Sequence, residues 1–179
     1  MRKIERNTRT STRQLALAAL LLALCVGAQQ FKALSQFITG PIVNAVLILA
    51  VLLAGLWGAL AIAVLSPALA FLIAPAPVLQ AVPHMLPLIA LANVVLVLCV
   101  WLPGKKHHIP GVAAGVALKP LLLFLGVRYA ILPFFAAGLP ERLAGALMAA
   151  FSINQLITAA IGGVLACGVY RLLPKNLRS

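Results

Sequence analysis

The sequence predicts an all-α membrane protein, a single bundle of six transmembrane helices with both termini in the cytoplasm. Its composition is the first reason, because 64% of the 179 residues are hydrophobic and only 9% are charged. The mean hydropathy of +1.13 agrees with this class. A soluble domain of this size does not need so much apolar surface, and several runs approach the length of about 20 residues that spans a hydrocarbon core. The distribution of basic residues then gives the orientation.

The net charge of +12 arises from 14 Lys and Arg residues against 2 Asp and Glu residues. Many of the basic residues fall into three clusters, which are Arg2 to Arg13, the Lys105-Lys106 pair, and Arg171 to Arg178. Clusters at alternate ends of spans are what the positive-inside rule produces, so this charge orients the chain in the membrane. Contact with anionic lipid headgroups is expected as a consequence, and nucleic acid is not expected as a partner.

The longest uncharged run, residues 41–74, predicts two spans rather than one. As a single helix it would be about 51 Å long at about 1.5 Å per residue, which exceeds the thickness of the hydrocarbon core. Gly55 and Gly58, around Trp57, mark the expected turn. We therefore place spans two and three at residues 40–54 and 57–74.

The other spans follow from the remaining apolar runs, and the chain is read as one domain. The prediction comprises a basic cytoplasmic arm (1–13), a transmembrane domain (14–173) with further spans at 14–31, 84–102, 110–128 and 144–172, and a cytoplasmic tail (174–179). With six spans all three basic clusters lie on one side of the membrane. With five spans the middle cluster would lie outside, so the positive-inside rule favours six.

Lys119 is the most informative polar residue, because a lysine at the centre of a span costs about 2.5–3.5 kcal/mol on insertion scales. The chain's two acids, Glu5 and Glu141, both lie outside the predicted spans. Pro120 follows directly and is expected to disfavour helical geometry at Lys119. Two interpretations stay open: Asn93 and backbone carbonyls satisfy the lysine, or the lysine contacts a ligand.

Further polar residues fall on the outer half of the predicted bundle, beginning with the polar stretch at residues 29–44. Together they predict a cationic funnel that opens outward and binds an anionic or neutral, hydrogen-bonding small molecule. Any single amide could instead join helices, which is a common role of Asn and Gln in membrane bundles. The predicted substrate-binding residues are Lys32, Gln36, Asn44, Asn93, Lys119, Arg128, Tyr129, Asn154 and Gln155.

Motifs for catalysis, metal binding or ATP binding are not found in the sequence. There is no phosphate-binding glycine loop and no zinc-binding helix pattern, and Ser66 has no histidine near it in sequence. Cys25, Cys99 and Cys167 each stand alone in an apolar run, where a cysteine is expected to act as a small hydrophobic residue. We therefore expect no enzyme activity, no catalytic residue, no metal and no cofactor, and a bundle without its own energy source suggests one subunit of a larger complex.

A family resemblance rests on five motifs and on the alanine-rich stretch "ALAALLLAL" of span one. The motifs are "ITGPIVNAVLILA", "LSPALAFL", "PLIALANVVLVL", "ALKPLLLFLGV" and "INQLITAAIGG". With its size, six predicted spans and basic N-terminus, the chain resembles the S components of energy-coupling factor (ECF) transporters. These are the substrate-binding subunits of prokaryotic vitamin importers in the plasma membrane.

The resemblance implies a mechanism. The protein would capture a vitamin-like molecule outside the cell, with the first outer loop as a gate, and then topple within the membrane to release it inside. Ala19 and Ala23 would contact a transmembrane coupling subunit driven by two cytosolic ATPases. The alternative, from a different class, is a structural or assembly subunit of a membrane complex, in which the polar residues only join helices.

Overall fold

The computed structural model describes residues 12–33, 36–73 and 76–174, and these are helical with no β-strand among them. Residues 1–11 of the predicted arm and 175–179 of the predicted tail lie outside the described part. The helices are α1 (Thr12–Gln29), α2 (Gln36–Leu53), α3 (Gly55–Ile73), α4 (Pro77–Ala81), α5 (Met85–Trp101), α6 (His108–Gly126), α7 (Glu141–Ala150) and α8 (Ile153–Leu172). Short 3₁₀ turns follow α1 (Gln30–Ala33) and precede α6 (Lys105–His107), and a π-helical segment (Val127–Phe135) extends α6.

Four helical stretches are long and apolar enough to cross a membrane, judged by length and composition. They are Thr12–Gln29, Gly55–Ile73, His108–Phe135 and Glu141–Leu172, and two shorter apolar helices occupy Phe37–Leu53 and Met85–Trp101. The prediction of an all-helical membrane protein is therefore confirmed at this level. Predicted span six is not one helix, because the chain breaks at Phe151 and Ser152 between α7 and α8.

The predicted turn between spans two and three is present, and Gly55 forms it. The backbone of Gly55 has φ +81°, a left-handed conformation that costs other L-residues about 1–2 kcal/mol. Gly58 is not part of the turn but lies inside α3, where an added Cβ would come within 3.1 Å of Ala18 and Ala54. Its lack of a side chain lets α3 pack closely on α1.

Proline residues do not interrupt the long helices. The expectation that Pro120 disfavours helical geometry at Lys119 is wrong, because α6 runs unbroken from His108 to Gly126. Pro41 and Pro67 likewise lie inside α2 and α3. In membrane helices, neighbouring side chains can bind the carbonyl that each proline leaves without a partner, so proline is tolerated there.

Helix α2 occupies the centre of the bundle. It packs against α1, α3, α5 and α8, and every residue from 44 to 52 is buried. A helix buried on all sides needs no polar face, which explains why this part of α2 is apolar except at Asn44. Around it, large apolar side chains such as Leu72, Phe134 and Val164 are exposed, as expected for surfaces that face lipid.

A second, smaller apolar cluster lies at one end of the bundle. Its buried members come from α4 and the residues around it, the π-helical segment and α7, and are Leu79, Val82, Met85, Val127, Ile131, Ala136 and Leu147. The main cluster is built mostly from α1, α2, α3 and α5. Leu79 of this cluster and Val43, which packs against the main cluster, line the same cavity.

Candidate ligand-binding cavity

A cavity of about 230 Å³ lies within the bundle, and residues of both the long helices and the end cluster line it. Its polar lining residues are Gln29, Thr39, Asn44, Ser66, Asn93, Lys119 and Gln155. Its other lining residues are Gly40, Val43, Pro67, Ala76, Leu79, Ile89, Leu123, Ala150 and Phe151. The polar groups come from six long helices, α1, α2, α3, α5, α6 and α8, so the cavity depends on how all six pack.

Lys119 lies on α6, about 11 residues or ~17 Å from the first residue of that helix. The side chain is only 4% exposed, and its Nζ donates a hydrogen bond to Asn44 Oδ1 at 2.5 Å. Asn93 was an expected partner of this lysine, whereas the structure gives that role to Asn44 of α2. Glu141 is exposed at the start of α7 and does not line the cavity, so the buried ammonium group has an amide rather than a carboxylate beside it.

Asn44 also lies deeper than the predicted boundary of span two implied. Since α2 begins at Gln36 rather than at residue 40, Asn44 is about two turns inside the helix. An added Cβ at Gly162 of α8 would lie 2.7 Å from Asn44 Cβ. The absence of a side chain at Gly162 therefore allows α8 to pack directly against α2 beside Asn44.

Asn93 has a structural partner on α3, and the reason for that contact is Pro67. Proline has no N–H, so the carbonyl four residues earlier, that of Ala63, loses its usual helical donor. Asn93 Nδ2 donates to this carbonyl oxygen at 3.2 Å. The bond fixes the orientation of the amide, because the reversed amide would place two oxygens together. Asn93 Oδ1 is then buried without a hydrogen-bond partner.

Three polar lining residues, Gln29, Thr39 and Ser66, are not among the predicted substrate-binding residues, and Ser66 also lies outside the polar stretch at residues 29–44. Its side chain is 1% exposed, and its Oγ is buried without a hydrogen-bond partner. Gln29 Nε2 donates to the Ser66 carbonyl oxygen at 3.4 Å, which joins the end of α1 to α3. The only sequence signal for Ser66 was its position before Pro67 in an otherwise apolar helix, and that signal also fits an ordinary helical serine.

The first turns of α8 form another part of the lining. Gln155 lines the cavity, and its carbonyl oxygen accepts a hydrogen bond from Thr158 Oγ1 at 3.1 Å. An added Cβ at Gly40 would approach Thr158 Cβ to 2.8 Å, so Gly40 lets the start of α2 approach α8. Thr39, the neighbour of Gly40, is buried and also lines the cavity.

Of the nine predicted substrate-binding residues, Asn44, Asn93, Lys119 and Gln155 lie together around the cavity. The other predicted residues whose side chains are described are not lining residues. Arg128 and Tyr129 are exposed on the π-helical segment, where the Arg128 guanidinium carbon lies 5.7 Å from the Tyr129 ring centre. Asn154 is half-buried beside Gln155.

The side chains of Lys32 and Gln36 lie outside the described part of the structure. The predicted coupling residues, Ala19 and Ala23, are both exposed on α1.

The lining residues supply hydrogen-bonding groups and apolar walls. Within the described part of the chain, no group of three or more His, Cys, Asp or Glu residues is arranged to hold a metal ion. The described lining offers hydroxyl groups at Thr39 and Ser66 but no histidine to activate them. What the lining supplies is one buried amine, several amides and hydroxyls, and apolar walls, which is typical of a site that recognises a small molecule.

Comparison of the chain with protein-family models, with curated proteins and with solved structures finds no match.

Proposed function

We propose that this chain is the substrate-binding subunit, or S component, of an ECF-type importer that takes up a vitamin-like small molecule. The observation that carries the proposal is the cavity, in which Lys119 is buried beside Asn44 without a carboxylate partner. A buried lysine in a membrane bundle is costly, and such residues are usually functional. A binding site for an anionic or neutral small molecule supplies a reason for the chain to keep it.

The proposal includes six membrane spans with both termini in the cytoplasm, in a prokaryotic plasma membrane. The six helices α1, α2, α3, α5, α6 and α8 each contain 17 to 20 residues. An even number of spans keeps the basic N-terminus, the Lys105 turn and the basic C-terminus on one side, as the positive-inside rule favours. A test is to label single cysteines placed at Lys105 and at Gly138 from outside intact cells. Labelling at Lys105 rather than at Gly138 would contradict this topology.

In this orientation the end of the cavity near Gln29 and Thr39 faces the outer surface. Gln29 at the end of α1 and Thr39 near the start of α2 both line this end of the cavity. The proposal includes the first outer loop as a gate, and residues 34–35 of this loop lie outside the described part of the structure. The second apolar cluster, through Leu79, would cover the same end of the cavity.

The partners in this proposal are a transmembrane coupling subunit and two cytosolic ATPases, which supply the energy that the chain itself does not. Ala19 and Ala23 are exposed on α1, and Gly27 has no atom within 4 Å of the position of an added Cβ. Small residues on an exposed helix face let another membrane helix approach closely. This exposed face supports the proposed contact with the coupling subunit.

The first test is mass spectrometry of small molecules that co-purify with the wild-type protein in mild detergent. We expect a stoichiometric compound in the wild type that is absent from Lys119→Met. The matched control is Arg142→Met, which removes a positive charge at an exposed residue outside the cavity lining and should keep the compound. No bound compound in any sample, together with no thermal stabilisation by a panel of vitamins, would contradict a binding role.

A second test separates binding from transport. Replacing Ala19 and Ala23 with leucine should abolish uptake in cells that express the complete importer, while the purified variant still binds its substrate. The control places leucine at Ala61 and Ala117, two exposed alanines on α3 and α6. Loss of substrate binding in the Ala19/Ala23 variant would show that the substitutions damage the fold rather than a docking surface.

The second candidate function is a structural subunit of a membrane complex. Two observations favour it: the Lys119–Asn44 bond joins α6 to α2, and the Asn93 bond to the Ala63 carbonyl joins α5 to α3. A structural role predicts that Lys119→Met changes stability with no ligand to lose. It does not account for the buried oxygens of Ser66 and Asn93 that lack partners.

A further inference from the structure

Four of the seven polar residues that line the cavity form two sets, and each set has unused hydrogen-bonding capacity. The first set is Lys119 with Asn44, joining α6 to α2. An ammonium group has three donors, and the structure gives Lys119 one acceptor. The second set is Ser66 with Asn93, on α3 and α5, where Ser66 Oγ and Asn93 Oδ1 are buried without partners.

The second set has a defined chemical preference. Because Asn93 Nδ2 is bound to the Ala63 carbonyl, the free atom that Asn93 offers is an oxygen, which accepts but cannot donate. A hydroxyl such as Ser66 can do either. A ligand that satisfies this side must therefore carry an N–H or O–H donor. A ligand with only acceptors would leave Asn93 Oδ1 buried and unsatisfied, which is costly.

The first set prefers a negative charge. Lys119 is the only charged residue among the described side chains that line the cavity, and the surrounding Val43, Leu123 and Ile89 are apolar. A single anionic group beside the ammonium would compensate its charge, whereas a cation would face like charge in a poorly hydrated site. A dianion would leave one negative charge uncompensated.

The cavity volume indicates the size of the ligand that the bundle can enclose. A cavity of about 150 Å³ holds a benzene molecule, and this cavity measures about 230 Å³. By proportion it accommodates a single ring with one or two small substituents, roughly ten non-hydrogen atoms. The half-buried ring of Phe151 lies in the lining and offers a surface against which a flat ligand can pack.

We infer that the ligand is a small monoanionic organic acid, about one ring in size, with its acidic group at Lys119 and an N–H or O–H donor at Asn93 and Ser66. This inference rests on the proposed binding function and deepens it by naming the substrate class. It excludes cationic and metal-bound substrates.

The test uses matched one-ring probes and the wild-type protein in detergent. The probes are the three aminobenzoates, benzoate, the three aminobenzamides and the three aminobenzylamines, with binding measured by native mass spectrometry and by thermal shift. We expect at least one aminobenzoate to bind more tightly than benzoate, which lacks the donor, and than its amide and amine counterparts. The inference would be overturned if the amides or amines bound as tightly as the acids. It would also be overturned if no probe showed saturable binding.

Variants assign the two ends of the ligand. Lys119→Met should weaken binding of the preferred acid by about 30-fold or more, the expected result of removing one partner from a buried charged contact. Because Lys119→Met leaves Asn44 Oδ1 without its donor, the double variant with Asn44→Leu serves as a second test and should also fail to bind the acid. Unchanged affinity in both variants would overturn the placement of the anion.

Ser66→Ala tests the donor end. It removes a buried hydroxyl that has no protein partner, so the fold should be as stable as the wild type or more so. Affinity for the aminobenzoate should fall by about 3- to 10-fold, while affinity for benzoate should not change. An equal effect on both acids would overturn the assignment of the donor to this side.

The compound found by co-purification separates the two proposals. A neutral or cationic compound that is lost in Lys119→Met would overturn the anionic class and leave the binding function standing. Failure to find any compound, together with no binding by any probe, would overturn both.

Discussion

Substitution of Gly162 by alanine tests the close packing of α8 against α2 beside Asn44, one of the residues that line the cavity. An added Cβ at Gly162 would lie 2.7 Å from both Asn44 Cβ and the Pro41 carbonyl oxygen, and 3.1 Å from the Ala45 backbone nitrogen. Two of these three atoms belong to the backbone of α2. No rotation of a side chain relieves such contacts, so α8 must move away from α2.

The size of the effect follows from the distance. Ordinary contact begins at about 3.4 Å, so the two helices must separate by about 0.7 Å, which forfeits roughly a third of the dispersion energy at their contacts. If the interface contains as many atom contacts as one buried leucine makes, about 40 to 60 at about 0.1–0.2 kcal/mol each, the loss is about 2 kcal/mol. Dispersion matters here because helix association in lipid has little hydrophobic driving force.

The assay measures the free energy of unfolding in mixed micelles of mild detergent and SDS. Cys25 is 0% exposed, so a thiol-reactive fluorophore reports its exposure on unfolding once Cys99 and Cys167 are replaced by alanine. We expect Gly162→Ala to be less stable than this background by about 2 kcal/mol.

The matched control is Gly168→Ala on the same helix, because an added Cβ at Gly168 has no atom within 4 Å. This variant should be as stable as the background or up to about 1 kcal/mol more stable, since alanine favours helix. Equal stability of Gly162→Ala and Gly168→Ala would refute the argument that the absent side chain sets the α2–α8 distance. Because Asn44 is one of the contacted residues, Gly162→Ala should also weaken ligand binding.

Three further predictions concern the buried lysine, one turn and one cysteine. Asn44→Leu should lower the free energy of unfolding by about 1.5–3 kcal/mol, because it leaves the Lys119 ammonium buried without its acceptor. Lys119→Met should change the free energy of unfolding less than Asn44→Leu does. It removes a buried charge whose insertion costs about 2.5–3.5 kcal/mol, and this offsets the lost hydrogen bond. A larger loss of stability in Lys119→Met than in Asn44→Leu would contradict this expectation. Gly55→Ala should destabilise the fold by about 1–2 kcal/mol, because φ is +81° at Gly55. Gly27→Ala, at an open helical position, should not destabilise the fold. Equal effects of the two substitutions would contradict a special backbone role for Gly55. Cys25, which is fully buried, should resist maleimide in the folded protein and react in SDS, and rapid labelling without SDS would contradict the packing of α1.

Much of the fold is predictable because it depends on composition and length. Long apolar runs form helices in a membrane, since a helix satisfies its backbone polar groups internally. The turn at Gly55 could also be predicted, because an uncharged run too long for one crossing needs a break, and glycine permits left-handed backbone. The break between α7 and α8 at Phe151 and Ser152 was not predicted, since no glycine or proline lies between residues 146 and 161 to mark it.

The role of proline was less predictable, because it depends on what lies across the helix interface. Pro120 was expected to disturb the helix at Lys119, yet α6 continues through it. Pro67 leaves the Ala63 carbonyl without its helical donor, and the partner that binds this carbonyl is Asn93, on another helix. Sequence shows where a proline frees a carbonyl but not which side chain from another helix will bind it.

The sequence by itself determined that this is a helical membrane protein with one lysine deep in an apolar run, because hydropathy and charge are local properties of the chain. Tertiary structure decided that Lys119 pairs with Asn44 rather than with Asn93, and that Ser66 Oγ and Asn93 Oδ1 are both buried without partners. It also decided that Arg128 and Tyr129 are exposed on a π-helical segment, where each residue is displaced from its position in a regular α-helix. The physical reason is that burial and hydrogen bonding of a side chain depend on the neighbouring helices, and the packing of α2 at the centre of the bundle brings those neighbours together.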